Sequence, residues 1–521
     1  MDSENDRREG RLLCYYGDDF TGSTDALEAL AASGVETALF LSPPSPELLA
    51  WRFPNVRCIG VAGVSRSLAP EEMERELAPQ LAMLQSYGTP VVHYKICSTF
   101  DSSPETGSIG RMLELGRRLF AGQRFVPLLA GAPALRRYTV FGHHFAAAGD
   151  ETYRLDRHPT MSRHPVTPMD ESDLRLHLAR QTKLPVGLME LTALDGPYED
   201  VRSRLEERLA RTPAPDAVLF DVLDEARLET AGRLIWEEAL GVRAGDAAGA
   251  GQTRAGEAGG TALFAGAGTS GPDGRSGVVW TGPSGCNGQA GRFGAPGGQG
   301  LFAIGSSGIE YALAAHWRKA GIVPPEPVRW EDPGETDKLL VVSGSCSPVT
   351  EAQLQRAVAD GYAGIRVPVW EWLDPAEAER SMLELLEKAV RRLREGRSVI
   401  LYTAQGSGDP AIGRLREAMH RRGVATAESG RLIGTRLGRL ARDILLATDV
   451  TRLLIAGGDT SGYATRELGA HALTCLRRIV PGGPLCRCHA RDSRLDGLEL
   501  ALKGGQVGGP DYFELVRRGG S

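Results

Sequence analysis

Two short turns near opposite ends of this 521-residue chain constrain its fold more than any other feature: Gly17-Asp18-Asp19-Phe20-Thr21-Gly22 and Gly457-Gly458-Asp459-Thr460-Ser461-Gly462. Each follows a short apolar run, 12–16 and 453–456, of the length and composition of a buried parallel strand. Each feeds a helical pattern, expected over 24–33 and 465–476. Strand, turn and helix in this order belong to an open α/β sheet, where ligands bind beyond the carboxyl ends of the strands. Helix N-termini there present free N–H groups and a positive dipole end, and glycine permits close approach. Two such turns predict two ligands.

The same alternation predicts strands at 37–41, 58–64, 91–95, 125–130, 185–191 and 217–221, and again at 301–305, 338–343, 364–369 and 398–403. Between the two series the composition breaks. Nineteen of the 65 glycines fall between Gly245 and Gly300, mixed with small and polar residues and without a collagen period. Such a stretch buries too little apolar surface to order itself, so 244–299 reads as a disordered insertion. The expected organisation is an N-terminal α/β domain over 1–243 and a C-terminal α/β domain over 300–521. The fold class is α/β: two α/β domains with mainly parallel sheets and an active-site cleft between them.

A formal charge of -6 lacks the basic excess of a general nucleic-acid binder. The N-terminus is polar and acidic, and no apolar run approaches the ~20 residues a membrane span needs. No membrane partner is therefore expected, and the expected location is the cytoplasm. Cys486-Arg487-Cys488-His489 does not have the spacing of a zinc site. No coiled-coil pattern decides the oligomeric state, and a homo-oligomer stays open.

Adjacent carboxylates at a strand end, Asp18 and Asp19, suit sugar hydroxyls, a proton or a divalent cation; the plainer role is capping of the following helix. A haloacid-dehalogenase-type nucleophile turn needs D-x-D-x-T, and Phe20 stands where its second aspartate belongs. After the strand at 91–95, Lys95 can neutralise a carboxylate, while Ser98, Thr99, Asp101 and Ser102 form the donor and acceptor set that a polyhydroxylated ligand demands. The basic segments 136–145 and 158–165 read as loops that can offer arginines to an acid. In the second half, 342–350 breaks a strand with small residues ahead of a helix expected near Thr350, and 500–509 ends another strand on glycines. With no G-x-x-x-x-G-K-[ST] in the chain, three glycine-bearing turns remain as the cradle for an extended phosphate ligand.

Taken in order, these segments resemble the four-carbon acid sugar kinase family, which phosphorylates threonate, erythronate or 3-oxo-tetronate at the terminal hydroxyl with ATP. The resemblance runs from Gly17–Gly22 through 95–110, 302–313, 343–350 and 457–462 to 503–509, nearly the full length. It implies that the first domain binds the sugar acid and the second the nucleotide. On that basis Asp18, Asp19, Thr21, Lys95, Ser98, Thr99, Asp101 and Arg163 are the sugar-acid side, with Asp19 as the catalytic base. Ser345, Gly457, Gly458, Asp459, Thr460 and Gly505 are the nucleotide side, with ATP and Mg²⁺ as cofactors and Asp459 orienting the metal through water. Two rivals remain: a sugar-acid sensor without catalysis, and a metal-dependent hydrolase or aldolase built on Asp18 and Asp19.

Overall fold

Most predicted strands form within a residue or two of their expected limits, because each is a short apolar run with a turn at either end. The computed structural model describes residues 10–164, 166–253, 300–326, 328–424 and 428–520, apart from the side chains of 243–253 and Asp459. Among them, fifteen strands join in one sheet. From one edge it runs Ala363–Arg366, Val399–Tyr402, Leu340–Ser343, Arg452–Ala456 and Glu499–Lys503, then Gly483–Ala490 and Ala470–Val480. It continues through Thr37–Phe40, Cys58–Ala62, Leu13–Gly17, Val91–Lys95, Leu301–Gly305, Val126–Leu129, Ala217–Phe220 and Val186–Met189.

Within each half the strands are parallel; the hairpin 470–490 joins the halves through antiparallel pairings on every side. The two parallel halves therefore run in opposite directions along one continuous sheet. Register shifts at Ala470/Ala472, Cys475/Arg477 and Arg478/Val480 break the hairpin ladder; irregularities of this kind bend a sheet. Helix Phe20–Ala31 is almost wholly buried and packs against helices Gly308–Lys319 and Gly458–Glu467 and the hairpin. One apolar cluster runs continuously from Leu12 and Leu39 to Leu453 and Leu502, so the halves share core.

Several expectations are corrected. The helix expected over 465–476 ends at Glu467, where Gly469 takes a φ of 72°, and strand Ala470–Val480 follows. Pro481 and Gly482, the latter with a φ of 73°, turn that strand into its partner. The segment 136–145 is not a loop: Arg137–Val140, His143–Ala148 and Glu151–Arg154 form a separate three-stranded antiparallel sheet. Strand Leu301–Gly305 inserts between Val91–Lys95 and Val126–Leu129. The chain thus returns to the first half of the sheet after residue 300, and in space the division falls beyond helix Gly308–Lys319. The helix from Glu225 continues to Thr253, into the expected insertion, and the remainder of that insertion lies outside the described residues. No described helix is long and apolar enough to cross a membrane.

Candidate functional site

Helix Phe20–Ala31 starts four residues earlier than its pattern suggests, and this makes Asp19 its N-cap. Asp19 Oδ1 accepts from Gly22 N at 2.9 Å, and Oδ2 pairs with Arg66 Nη2. Arg66 reaches in from the turn after strand Cys58–Ala62, and its Nη1 lies 3.7 Å from Asp101 Oδ2. Asp18 is 2% exposed and its Oδ1 has no hydrogen-bond partner. Burial pushes its carboxyl up to about 7, with Asp19 adding to the rise and Arg66 opposing it. Lys95, at the end of its strand, donates to Ile96 O at 2.8 Å and stands 3.8 Å from Asp25 Oδ2. Burial works against its charge, but Asp25, Asp18 and Asp19 outweigh burial and hold its pKa above the ordinary value.

The loop after Lys95 is fixed from behind. Phe100 is buried at a left-handed φ of 60°, and Thr99 Oγ1 donates to Asp101 Oδ1 at 2.5 Å. His144 Nε2 donates to Ser98 O at 2.8 Å, with Thr139 Oγ1 3.0 Å from Nδ1. His177 Nε2 lies 2.9 Å from Ser102 Oγ. Burial pushes both imidazoles down to about 4, so they are neutral latches.

Across the cleft, Ser347 caps helix Pro348–Ala359, accepting from Thr350 N at 3.1 Å and donating to Gly505 O. Ser345 Oγ and Thr350 Oγ1 are 3.0 Å apart, and Lys503 Nζ donates to Thr350 Oγ1 at 2.9 Å. Gly457 holds a φ of 123°, and a Cβ there would sit 3.2 Å from Ser345 N. Ser461 N bonds Gly457 O at 2.9 Å, so the amides of Gly458, Asp459 and Thr460 precede the intrahelical ladder and are open to an anion.

The two sets meet. A Cβ on Gly458 would lie 3.7 Å from Arg66 Nη2 and 3.8 Å from both Asp19 Oδ2 and Thr21 Oγ1; one on Gly504 would lie 3.6 Å from Thr21 Cγ2. Asp18, Asp19, Thr21, Lys95, Thr99 and Asp101 thus gather on one wall, and Ser345, Gly457, Gly458, Thr460 and Gly505 on the other. Ser98 contributes its carbonyl to the loop latch. Arg163 is exposed on the turn Met161–Arg163, in no ion pair among the described residues, and stays outside this network. The Asp459 side chain lies outside the described residues. Sequence reasoning missed Arg66, Asp25 and the hydroxyl of Thr350. Arg66 had one usable signal: it is the basic residue in the turn after strand Cys58–Ala62, as Asp18 and Asp19 are the acidic ones after Leu13–Gly17.

Residues 13–255 match the family model of a sugar-binding N-terminal domain, and 340–513 that of a nucleotide-binding C-terminal domain. Over 511 residues the chain is 42% identical to a 3-oxo-isoapionate kinase of Paraburkholderia graminis, covering 98% of this chain and 95% of that one. The chain belongs to the four-carbon acid sugar kinase family. It is a sugar-acid kinase, a phosphotransferase that uses ATP, and the sensor and hydrolase readings give way to that. A 3-oxo-tetronate kinase of Pseudomonas fluorescens is 27% identical over 506 residues, 96% of this chain and 95% of its own. A crystal structure from Salmonella typhimurium LT2 shares the fold of this kinase, with a TM-score of 0.66 at 21% identity, over 98% of this chain and 100% of its own.

Proposed function

We propose that this kinase transfers the γ-phosphoryl group of ATP to the terminal hydroxyl of a 3-oxo sugar acid, and that the acid is of the 3-oxo-isoapionate type. The observation that carries the choice of acid is the 42% identity along the full length to a 3-oxo-isoapionate kinase, against 27% to a 3-oxo-tetronate kinase. Phosphorylation of threonate, erythronate or 3-oxo-tetronate to the 4-phosphate is the second reading, supported by several relatives named as 3-oxo-tetronate kinases.

Phosphoryl transfer asks for alignment and charge neutralisation more than for covalent chemistry from the protein. Arg66 and Lys95 are the cations available to the acid's carboxylate, and Ser98, Thr99 and Asp101 the partners for its hydroxyl and oxo groups. Asp19 is the base expected from sequence, yet both of its oxygens are engaged, by Gly22 N and by Arg66. In our reading the proton passes to Asp18, whose Oδ1 has no partner and whose proton affinity lies near neutrality. The nucleotide phosphates lie on the amides of 458–460 and the turns at 343–347 and 503–505. The cleft also fits Mg²⁺: the unpartnered Thr21 Oγ1 is a hard oxygen donor beside carboxylates. When bound on the phosphates, the ion neutralises part of their charge.

ADP release with Mg²⁺ and ATP, measured on 3-oxo-isoapionate, 3-oxo-tetronates, threonates and erythronates, tests the proposal. A kcat/KM at least tenfold higher on 3-oxo-isoapionate supports it. Preference for a tetronate transfers the function to the second reading.

A further inference from the structure

Lys503 ends strand Glu499–Lys503 beneath the glycine turns of the nucleotide half, and it is fully buried. The other described lysines are placed differently. Lys95, Lys319 and Lys338 each have a carboxylate, Asp25, Glu229 and Asp449, within 4.0 Å, and Lys183 and Lys388 are exposed. The Lys503 ammonium has one hydrogen bond, 2.9 Å to Thr350 Oγ1, and no carboxylate pairs with it among the described residues. A buried ammonium without an anion is unfavourable by several kcal/mol unless something compensates it.

Its surroundings are those of an anion site. Thr350 Oγ1 also lies 3.0 Å from Ser345 Oγ. The backbone carbonyl of Lys503 accepts from Gly457 N at 3.0 Å, which ties the end of its strand to the turn that opens helix Gly458–Glu467. Gly505 packs so closely that an added Cβ would stand 3.1 Å from Ser347 Cβ and 3.4 Å from Ser345 Oγ. A fixed point charge thus lies under three turns that present amides and hydroxyls.

We propose that Lys503, oriented by Thr350, is the cation that binds the phosphoryl oxygens of the nucleotide, performing from the end of a strand what the lysine of a G-x-x-x-x-G-K loop performs from a loop. This rests on the reading that the second half binds ATP. One consequence is measurable. Burial alone pushes Lys503 down to about 7, with no other titratable group contributing, so in the protein without nucleotide the amine is largely unprotonated above neutral pH. An arriving phosphate restores the charge, and nucleotide binding takes up protons.

Calorimetry of ADP and of adenosine with the full chain, at pH 7.5 in buffers of differing ionisation enthalpy, tests this. Wild type should take up about three quarters of a proton more on binding ADP than Lys503→Met does. Lys503→Met should bind ADP at least tenfold more weakly and adenosine unchanged, and Thr350→Val should show a smaller loss confined to ADP. Lys503→Met is of similar volume and removes a buried amine that has no carboxylate partner among the described residues, so its melting midpoint should lie at or above wild type, whereas Thr350→Val takes away the one hydrogen bond of Lys503 and should melt somewhat lower. Unchanged ADP affinity in Lys503→Met, or equal losses for ADP and adenosine, overturns the proposal. Wild type that binds neither ligand overturns the nucleotide reading beneath it, a result no variant mimics.

Discussion

Replacing Asp18 with Asn should leave the chain more stable and nearly inactive. In the folded chain burial holds the Asp18 proton to about pH 7, whereas in the unfolded chain it leaves near the ordinary 3.8. Between those values the folded state carries the extra proton, so stability falls as pH rises through about 4 to 7 and levels off above. Each pH unit in that window is worth about 1.4 kcal/mol, and the window spans about three units. Ionised Asp18 therefore destabilises the chain by up to about 4 kcal/mol at pH 8. The Asp18→Asn side chain has nothing to ionise, so the variant should match wild type near pH 4 and exceed it by a margin that grows to pH 7 and then stays constant. Melting midpoints across pH 4–8 read this directly, with a plateau difference on the order of 5 °C. Turnover should fall by about 10² to 10⁴, the usual worth of a positioned base, while ADP still binds. Wild-type kcat should rise with pH through about 7. A stability difference independent of pH, or turnover within tenfold of wild type, refutes the reasoning.

Arg66→Met leaves Asp19 and Asp101 without their shared cation, so the KM for the sugar acid should rise at least tenfold with ADP affinity little changed, as steady-state kinetics and calorimetry would show. Gly457→Ala forces a side chain into a φ of 123° and to within 3.2 Å of Ser345 N; about 1–3 kcal/mol of stability and most ADP affinity should go, as denaturation and titration would measure. His144 is held near 4 against an ordinary 6.5, so its contribution is complete above pH 6.5 and is lost as pH falls toward 4. His144→Asn should flatten that acid-side loss and raise the KM for the sugar acid by loosening Ser98, both read from pH-dependent melting and kinetics.

What is legible in the chain is what neighbours in sequence decide. Val91–Lys95 forms as expected because five apolar or pleat-tolerant residues precede a turn, and Pro348–Ala359 starts where Ser347 and Pro348 cap it. Strand Ala470–Val480 is hidden from a local reading because its alternation is interrupted by bulges and its partner, Gly483–Ala490, is needed to recognise it. Arg66 is equally hard to single out, because one arginine among many has no pattern of its own; only the carboxylates of Asp19 and Asp101, brought from other strand ends, give it a role.

The α/β alternation, the two acid and glycine turns at strand ends, and the residue types fit for a sugar acid on one side and phosphates on the other are written in the local order of the chain. That the two halves of the sheet run in opposite directions, and that Gly458 meets Asp19 and Gly504 meets Thr21 from distant parts of the chain, are properties of the tertiary structure. The tertiary structure also commits Asp19, leaves Asp18 Oδ1 buried without a partner, and gives Lys503 no carboxylate partner among the described residues. Burial and charge pairing are sums over neighbours from every part of the fold, and no local window of sequence contains them.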